Sequence, residues 1–335
     1  MAALVAATAL AADAREIRAV ASRDPVTGCA GPFRVGYRIV RFGTVTAAVW
    51  YPSGTAQRAH TYAPGVVGHV APAGEPLARC GRFPLVVFSH GVGGCAIQSV
   101  FFTETLARRG YVVAAPEHRD ALLCSLEGRG QAAAAPVSPP SVFDPASWSA
   151  ASYAERRDDI RAILDAMPRE APWSGVVDAD RIGIAGHSLG GYVALAMAGG
   201  WPEWHDPRLR AALLLSPYSL PLSMRGRLRA VRVPVMYQGA DFDIGVTPFL
   251  EGPEGAYAQS NAPKYYAKLR GGHHFVWTNL QCAGTAHVAA CLASRPEARL
   301  ISDYGIGFLD QHLAGTPHRF LRLGNPALSD YRFEP

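Results

Sequence analysis

A serine set among glycines at the end of a short apolar run constrains the fold more than any other part of the chain. Residues 182–191 read IGIAGHSLGG, so Gly186 lies two residues before Ser188, while Gly190 and Gly191 follow it. An apolar run, a glycine-rich turn and a further apolar stretch from Leu189 predict a strand, a sharp turn and a helix. Three glycines around one hydroxyl indicate that other groups approach it closely.

Short apolar runs alternate with helical stretches along most of the chain. Strands are predicted at 84–90, 111–118, 181–187, 211–217, 233–240 and 264–272, and helices at 97–109, 153–167, from Leu189 and around 296–313. Near-continuous apolar strands separated by helices predict a doubly wound α/β fold with a mostly parallel sheet. FRVGYRIVRF and TVTAAVWYP near the start predict an antiparallel strand pair, which a Pro/Gly-rich excursion at 52–82 follows.

Length and composition fit one large domain. The chain has 335 residues, 49% of them hydrophobic and 18% charged, and we predict a single α/β domain over 26–335. Residues 1–25 are interpreted as an export leader or an alanine-rich N-terminal extension, because Ala12-Asp13-Ala14 fits a cleavage site but no basic residues precede it. The protein is therefore predicted to be secreted or periplasmic, and otherwise cytoplasmic.

Residues 121–152 form an Ala/Pro/Ser-rich insertion that is too long for an ordinary connection. It lies after a predicted strand, at the edge where open sheets bind ligands. It is interpreted either as a mobile lid over a pocket or as a disordered surface loop.

Charge and cysteine spacing exclude several classes of function. The net charge of +5 comes without a basic block, so no nucleic-acid partner is predicted, and no apolar run is long enough for a transmembrane helix. Without a C-x-x-C pair among the six cysteines, no zinc site is predicted. If the protein is exported, Cys282 and Cys291 are expected to form a disulfide; if it is cytosolic, the cysteines are expected to be buried or inert thiols.

Ser188 fits the nucleophile elbow of G-x-S-x-G sequences, although a serine that caps the following helix is the plainer alternative. A serine nucleophile needs a base and an acid that orients the base, in the chain order Ser, Asp or Glu, His. Asp243 and His274 follow the predicted strands in that order. Asp241 and His273 remain their rivals.

An oxyanion hole is predicted from two backbone amides. One belongs to Leu189, at the start of the helix after the elbow. The other belongs to the loop at 90–94, HGVGG, with Val92 the first choice and Gly93 the second. A phosphate-binding loop is disfavoured because the G-K-[ST] ending is missing.

Three further residues are predicted to line a substrate pocket. They are Gly93 in the loop at 90–94, Tyr218 just after a predicted strand, and Trp277 three residues after His274. Aromatic packing beneath the loops is the alternative for the two aromatic side chains. EHRD at 117–120 also follows a strand and is interpreted as a structural ion pair near the pocket.

With these motifs the chain resembles the α/β-hydrolase superfamily, and within it bacterial dienelactone-hydrolase-like and platelet-activating-factor-acetylhydrolase-like serine esterases. The resemblance covers roughly 32–312 and rests on PLVVFSHGVGG, GYVVAAPEHRD, RRDDIRAILDAM, DRIGIAGHSLGGYVALAMAG, VMYQGADFDIGVTP and GGHHFVW. It implies a Ser188, Asp243 and His274 triad and no cofactor. Dienelactone hydrolases use a cysteine at the elbow, so their substrate is not implied for a chain with Ser188.

The predicted function is hydrolysis of small or short-chain carboxylic esters through an acyl-enzyme. An aryl-polyester hydrolase, a serine peptidase and an acyltransferase are alternatives on the same scaffold, because triad geometry does not select among these reactions. A binding protein without catalysis is the alternative outside enzymes. The sequence predicts neither an oligomeric state nor a preferred acyl chain.

Overall fold

The computed structural model describes residues 29–126 and 140–335. The predicted export leader and residues 127–139 of the predicted insertion lie outside the described residues. Within them, none of the helices is both long and apolar enough to span a membrane.

Eleven strands of the described residues form one sheet, in the order β11-β10-β9-β8-β7-β5-β6-β2-β1-β4-β3. Their bounds are β1 Arg34–Phe42, β2 Val45–Ser53, β3 Arg58–Ala63, β4 Val66–Pro72, β5 Phe83–Ser89, β6 Val112–Pro116, β7 Val177–His187, β8 Leu209–Leu215, β9 Val235–Ala240, β10 Lys264–Leu269 and β11 Leu328–Glu334. The strands from β10 to β6 in this order are parallel. This confirms the predicted mostly parallel sheet, and β1 pairs antiparallel with β2 as predicted.

The α-helices of the described residues flank the sheet. Their bounds are α1 Val100–Arg108, α2 Ala154–Ala166, α3 Leu189–Leu195, α4 Leu220–Ser223, α5 Pro248–Glu251, α6 Ala256–Gln259, α7 Val288–Ser294 and α8 Pro296–Leu309. Apolar residues of α2 and α3 belong to one core cluster, and those of α1 and α8 to the cluster on the other face. A sheet buried on both faces explains why its central strands are apolar throughout.

Strand register brings several loops to one edge of the sheet. Ser89 pairs with Gly186, His187 with Leu215, and Ala240 with Leu269. Because the carboxyl ends of these parallel strands coincide, the residues that follow them are neighbours in space.

The structure contains three strands that the sequence analysis did not predict. β3 and β4 form a hairpin inside the Pro/Gly-rich excursion, and β11 pairs antiparallel with β10 at the opposite edge. β3 is largely exposed and β11 only partly buried. β3 and β11 lie at the edges of the sheet and carry polar residues, so they lack the apolar run by which a central strand is predicted. β4, VVGHVAP, is mostly apolar but lies within the Pro/Gly-rich excursion.

The described part of the insertion, 140–152, contains only a short turn of 3₁₀ helix, Pro145–Ser147. Trp148 beside this turn is buried, and its ring contacts Tyr192 and Tyr218. This end of the insertion is therefore packed on the domain. A lid over the pocket remains a prediction.

Candidate active site

Ser188 occupies a strained turn between β7 and α3. Its backbone angles are φ 55° and ψ −114°, a region that L-residues rarely adopt. A Cβ at Gly186 would lie 2.2 Å from the carbonyl oxygen of Gly190, and one at Gly190 would lie 1.9 Å from that of Ser89. Any side chain at these two positions would therefore force the turn apart.

The Ser188 hydroxyl lies within hydrogen-bond distance of an imidazole. His274 Nε2 is 3.0 Å from Ser188 Oγ, and His274 Nδ1 is 3.0 Å from Asp243 Oδ1. His274 is partly exposed, whereas Asp243 is buried. We call these three side chains the Ser188 relay; they have the geometry that a nucleophile, a base and an orienting acid require.

The two rivals lie outside the relay. His273 is exposed, and its Nδ1 accepts a hydrogen bond from the Phe275 amide at 3.2 Å. Asp241 accepts hydrogen bonds from the Gly271 amide at 3.0 Å and from Ser329 Oγ at 2.6 Å. These hydrogen bonds lower the pKa of the Asp241 carboxyl although burial acts to raise it. Asp241 thus joins the end of β10 to β11.

Ser216 is a relay neighbour that the sequence analysis did not single out. It follows β8, its φ is 45°, and its hydroxyl donates a hydrogen bond to Asp243 Oδ2. Ser216 Oγ also lies 3.0 Å from His274 Nδ1. Its position after an apolar strand at the same sheet edge was the only signal in the sequence.

The backbone amides of Val92 and Leu189 are among those near Ser188 that have no hydrogen-bond acceptor in the described residues. Leu189 begins α3, where the first N–H groups lack partners within the helix. A Cβ on Gly91 would lie 3.5 Å from Ser188 Cβ, so the glycine loop, residues 90–94, borders the serine. The Gly93 amide instead donates to Asp120 Oδ2 at 3.2 Å.

His187 connects the glycine loop to His274. The Gly91 amide donates to Gln98 Oε1 at 3.0 Å, and Gln98 Nε2 lies 3.1 Å from His187 Nδ1. His187 Nε2 lies 2.9 Å from the carbonyl oxygen of His274. Burial, with the nearby His274, lowers the pKa of His187 to about 3. Near neutral pH it is therefore an uncharged ring that donates from Nε2 and accepts at Nδ1.

The residues predicted to line a pocket differ in exposure. Tyr218 is partly exposed, its amide donates to the Ser188 carbonyl at 3.0 Å, and its hydroxyl donates to the Val142 carbonyl. Gly93 is also partly exposed. Trp277 is 0% exposed and donates from Nε1 to Gln238 Oε1 at 2.9 Å. The prediction that Trp277 lines a pocket is wrong, because its ring is part of the core.

A second serine, histidine and aspartate series lies beneath the glycine loop. Ser89 Oγ is 2.9 Å from His118 Nε2, and His118 Nδ1 is 2.8 Å from Asp159 Oδ2. Ser89 and His118 are both 0% exposed. Burial raises the pKa of Asp159 to about 7 and lowers that of His118 well below its usual value. This series resembles the Ser188 relay in distances, but a substrate cannot reach its hydroxyl.

All six cysteines form disulfides. Cys282 is bonded to Cys291, the pair proposed from the sequence, and the structure adds Cys29–Cys80 and Cys95–Cys124. In residues 29–126 and 140–335, no group of three or more His, Cys, Asp or Glu side chains is arranged to hold a metal ion.

Residues 48–133 match the sequence model of the family described as platelet-activating factor acetylhydrolase, isoform II. The matched segment runs from β2 through the glycine loop to the EHRD motif and the start of the insertion. It confirms the resemblance to this esterase group that the motifs indicated.

Curated relatives match over part of their length. Cutinase est1 of Thermobifida alba is 33% identical over 124 residues, which are 36% of this chain and 38% of that protein. A platelet-activating factor acetylhydrolase of Canis lupus familiaris is 25% identical over 179 residues, 44% of this chain and 38% of that protein. A bis(hydroxyethyl) terephthalate hydrolase of Streptomyces coelicolor is 30% identical over 122 residues, 36% of each chain. The chain thus spans less than half the length of these relatives.

A solved structure matches almost the whole chain. It is a ferulic acid esterase from Streptomyces cinnamoneus, with a TM-score of 0.63 and 23% identity over 95% of this chain and 98% of that one. This likeness shows the fold. It agrees with the α/β-hydrolase fold that the sequence motifs predicted.

Proposed function

We propose that this chain is a serine carboxylic-ester hydrolase that acts through an acyl-enzyme on Ser188. The observation that carries the proposal is the pair of 3.0 Å distances that join Ser188 Oγ to His274 Nε2 and His274 Nδ1 to Asp243 Oδ1. The names of two relatives, an acetylhydrolase and a terephthalate ester hydrolase, support the same reaction class.

In the proposed first step His274 Nε2 takes the Ser188 proton while Oγ attacks the ester carbonyl carbon. The carbonyl oxygen becomes an anion that accepts hydrogen bonds from the Val92 and Leu189 amides. The alcohol leaves with the proton held by His274. Water then attacks the acyl carbon while His274 takes its proton, the bond to Ser188 Oγ breaks, and His274 returns the proton to Oγ as the acid is released.

A groove between α4 and α5 is the candidate substrate site. It has a volume of about 420 Å³, and its lining includes Leu220, Met224, Pro248 and Phe249. Its walls come from α4, which follows Tyr218, and from α5, which follows Asp243. An apolar groove of this kind suits the acyl or alcohol part of a small ester.

Aryl esters are the second candidate substrate class. Phe242, next to Asp243, is 69% exposed, and Phe275, next to His274, is 49% exposed. One relative is named for a terephthalate ester. Two exposed aromatic rings beside the relay would stack on an aryl acid.

The experiment compares wild type with Ser188→Ala on p-nitrophenyl esters from acetate to palmitate, bis(hydroxyethyl) terephthalate and peptide anilides. Ester turnover should fall by several orders of magnitude in the variant, because the nucleophile is lost. A fluorophosphonate should label wild type at Ser188 and leave the variant unlabelled, although Ser89 is still present. A variant that keeps near-wild-type turnover, or is labelled at Ser89, would refute the assignment.

We further propose that residues 26–335 form a single domain that is exported to an oxidising compartment. Three disulfides support export, because disulfides are rare in proteins of the cytosol. N-terminal sequencing of protein from the periplasm or medium tests for leader removal, and recovery only from the cytosol with free thiols would contradict export.

A further inference from the structure

Arg156 lies beneath the glycine loop and donates hydrogen bonds to it. The proposed reaction does not use this residue. Arg156 belongs to the first turn of α2, and its side chain is 0% exposed. Burying a guanidinium is costly unless its charge is paired and its donors are satisfied. Its contacts therefore indicate what it does.

Arg156 and Asp120 together contact three peptide groups of the glycine loop. Arg156 Nη1 donates to the His90 carbonyl at 2.6 Å, and Nη2 donates to the Gly91 carbonyl at 3.1 Å. Arg156 Nε and Nη2 also donate to the two Asp120 carboxylate oxygens at 3.1 and 2.7 Å. Asp120 Oδ2 in turn accepts the Gly93 N–H at 3.2 Å. The pair thus holds the loop on both sides of Val92.

The Gly91 contact bears directly on the proposed oxyanion donor. The Gly91 carbonyl and the Val92 N–H belong to one peptide unit, which is planar and trans, so they point in opposite directions. A carbonyl that is directed toward Arg156 therefore directs the Val92 N–H away from it. His90 Nδ1, at 2.7 Å, and the Gly94 amide, at 3.1 Å, contact the same carbonyl oxygen.

An arginine is suited to this task in a way that a lysine is not. Its planar guanidinium presents several donors in a fixed geometry, whereas lysine offers one ammonium on a flexible stem. Burial acts to raise the pKa of the Asp120 carboxyl, but the Arg156 charge and hydrogen bonds hold it well below its usual range. The counter-ion is therefore ionised wherever the enzyme is folded near neutral pH.

We propose that Arg156, with Asp120 as its counter-ion, is a positioning residue that sets the direction of the Val92 N–H by holding the Gly91 carbonyl. Neither side chain contacts the substrate. The inference rests on the proposed function, because it assigns a role within that site. The proposal predicts that replacing the Arg156 guanidinium weakens binding of the tetrahedral intermediate more than binding of the ester itself.

The test compares Arg156→Lys and Asp120→Asn with Arg157→Lys as the matched control. Arg157 is the next residue of α2, pairs with Asp158 at 2.8 Å and lies over the Trp204 ring. For each protein, kcat and KM for p-nitrophenyl acetate are measured per active site, as titrated with a fluorophosphonate. The inhibition constant of butylboronic acid is also measured, because its adduct with a serine hydroxyl is tetrahedral.

Removing one oxyanion donor typically costs about 10²–10³ in kcat, and a loosened donor should cost less. We expect kcat of Arg156→Lys to fall by about 10–100-fold with KM nearly unchanged. The boronate inhibition constant should rise by a similar factor. Asp120→Asn should show a smaller change in the same direction, and Arg157→Lys should stay within about twofold of wild type.

Two results would overturn the inference while leaving the proposed function intact. The first is that Arg156→Lys and Asp120→Asn are folded, and that both kcat per active site and the boronate inhibition constant stay within about twofold of wild type. The other is a lower number of active sites with unchanged kcat per site, since that is a purely structural effect. If circular dichroism shows that Arg156→Lys is unfolded, the same measurements on Asp120→Asn decide whether the inference holds. Ester turnover that persists in Ser188→Ala would instead overturn the proposed function, and the inference with it.

Discussion

At the residue scale, the acid of the Ser188 relay is held from two sides. Asp243 Oδ1 faces His274 and Oδ2 accepts from the Ser216 hydroxyl, so both carboxylate oxygens have a partner. A carboxylate fixed in this way keeps the imidazole in one orientation and stabilises its charged form. Ser216 therefore contributes to the relay without contacting the nucleophile.

Replacement of Ser216 by alanine should lower kcat/KM for esters by about tenfold, because one hydrogen bond to a carboxylate is worth about 1.5 kcal/mol or more. Ser219→Ala is the matched control, because the Ser219 hydroxyl is buried and has no hydrogen-bond partner among the described residues. It should stay within about twofold of wild type. Steady-state kinetics with a thermal melt of each variant measures the difference, and equal losses in the two variants would contradict the assigned contact.

The sequence motifs predicted the three residues of the Ser188 relay, but they did not predict which side chains support the loops around it. Ser188, Asp243 and His274 could be proposed because each follows a strand in the chain order that a hydrolase requires. Arg156 could not be assigned to the glycine loop, because its partner Asp120 is 36 residues away in the chain. Such a pairing depends on how α2 packs beneath the sheet edge, which no local pattern encodes.

At the element scale, the elbow depends on the close approach of α3 to the end of β5. The turn at Ser188 brings Gly190 against the Ser89 carbonyl and Gly191 against Pro217, after β8. The strand, turn and helix were predictable because glycine spacing and apolar runs are local signals. β3 and β11 were not predicted, since the pairing of short polar segments at the sheet edges is not visible in the sequence, and β4 lies within a segment rich in Pro and Gly.

Gly190→Ala should destabilise the fold by about 3 kcal/mol, because overpacking costs roughly 1–3 kcal/mol and this clash is with the backbone, which yields least. Its Cβ would lie 1.9 Å from the Ser89 carbonyl oxygen, and relief of that clash would displace Leu189 and lower activity. Gly175→Ala is the control, since a Cβ there meets nothing within 4 Å; its stability should change by less than about 0.5 kcal/mol. Urea unfolding and ester turnover check both, and equal stability of the two variants would refute the close approach.

At the scale of the whole molecule, three disulfides tie separate regions of the domain. Cys29–Cys80 joins the segment before β1 to the turn before β5, and Cys95–Cys124 joins the residue after the glycine loop to the segment after β6. Cys282–Cys291 joins the 3₁₀ turn Asn279–Cys282 to α7. Only the third pair was proposed from the sequence, because its cysteines are nine residues apart in one predicted loop. The other two depend on chain segments that the folded sheet brings together.

Removal of each disulfide by paired Cys→Ala substitution should lower the free energy of unfolding in the order of loop length. The bonded cysteines are 51, 29 and 9 residues apart, for which the loss of chain entropy in the unfolded state gives about 4, about 3.6 and about 2.6 kcal/mol. Urea unfolding at equilibrium, with the unfolding slope fitted separately for each variant, measures these losses. If the Cys282–Cys291 variant is the least stable, contacts of the folded state outweigh chain entropy. The Cys95–Cys124 variant should also lose activity, because this disulfide anchors the residue that follows the glycine loop to the segment that carries Asp120.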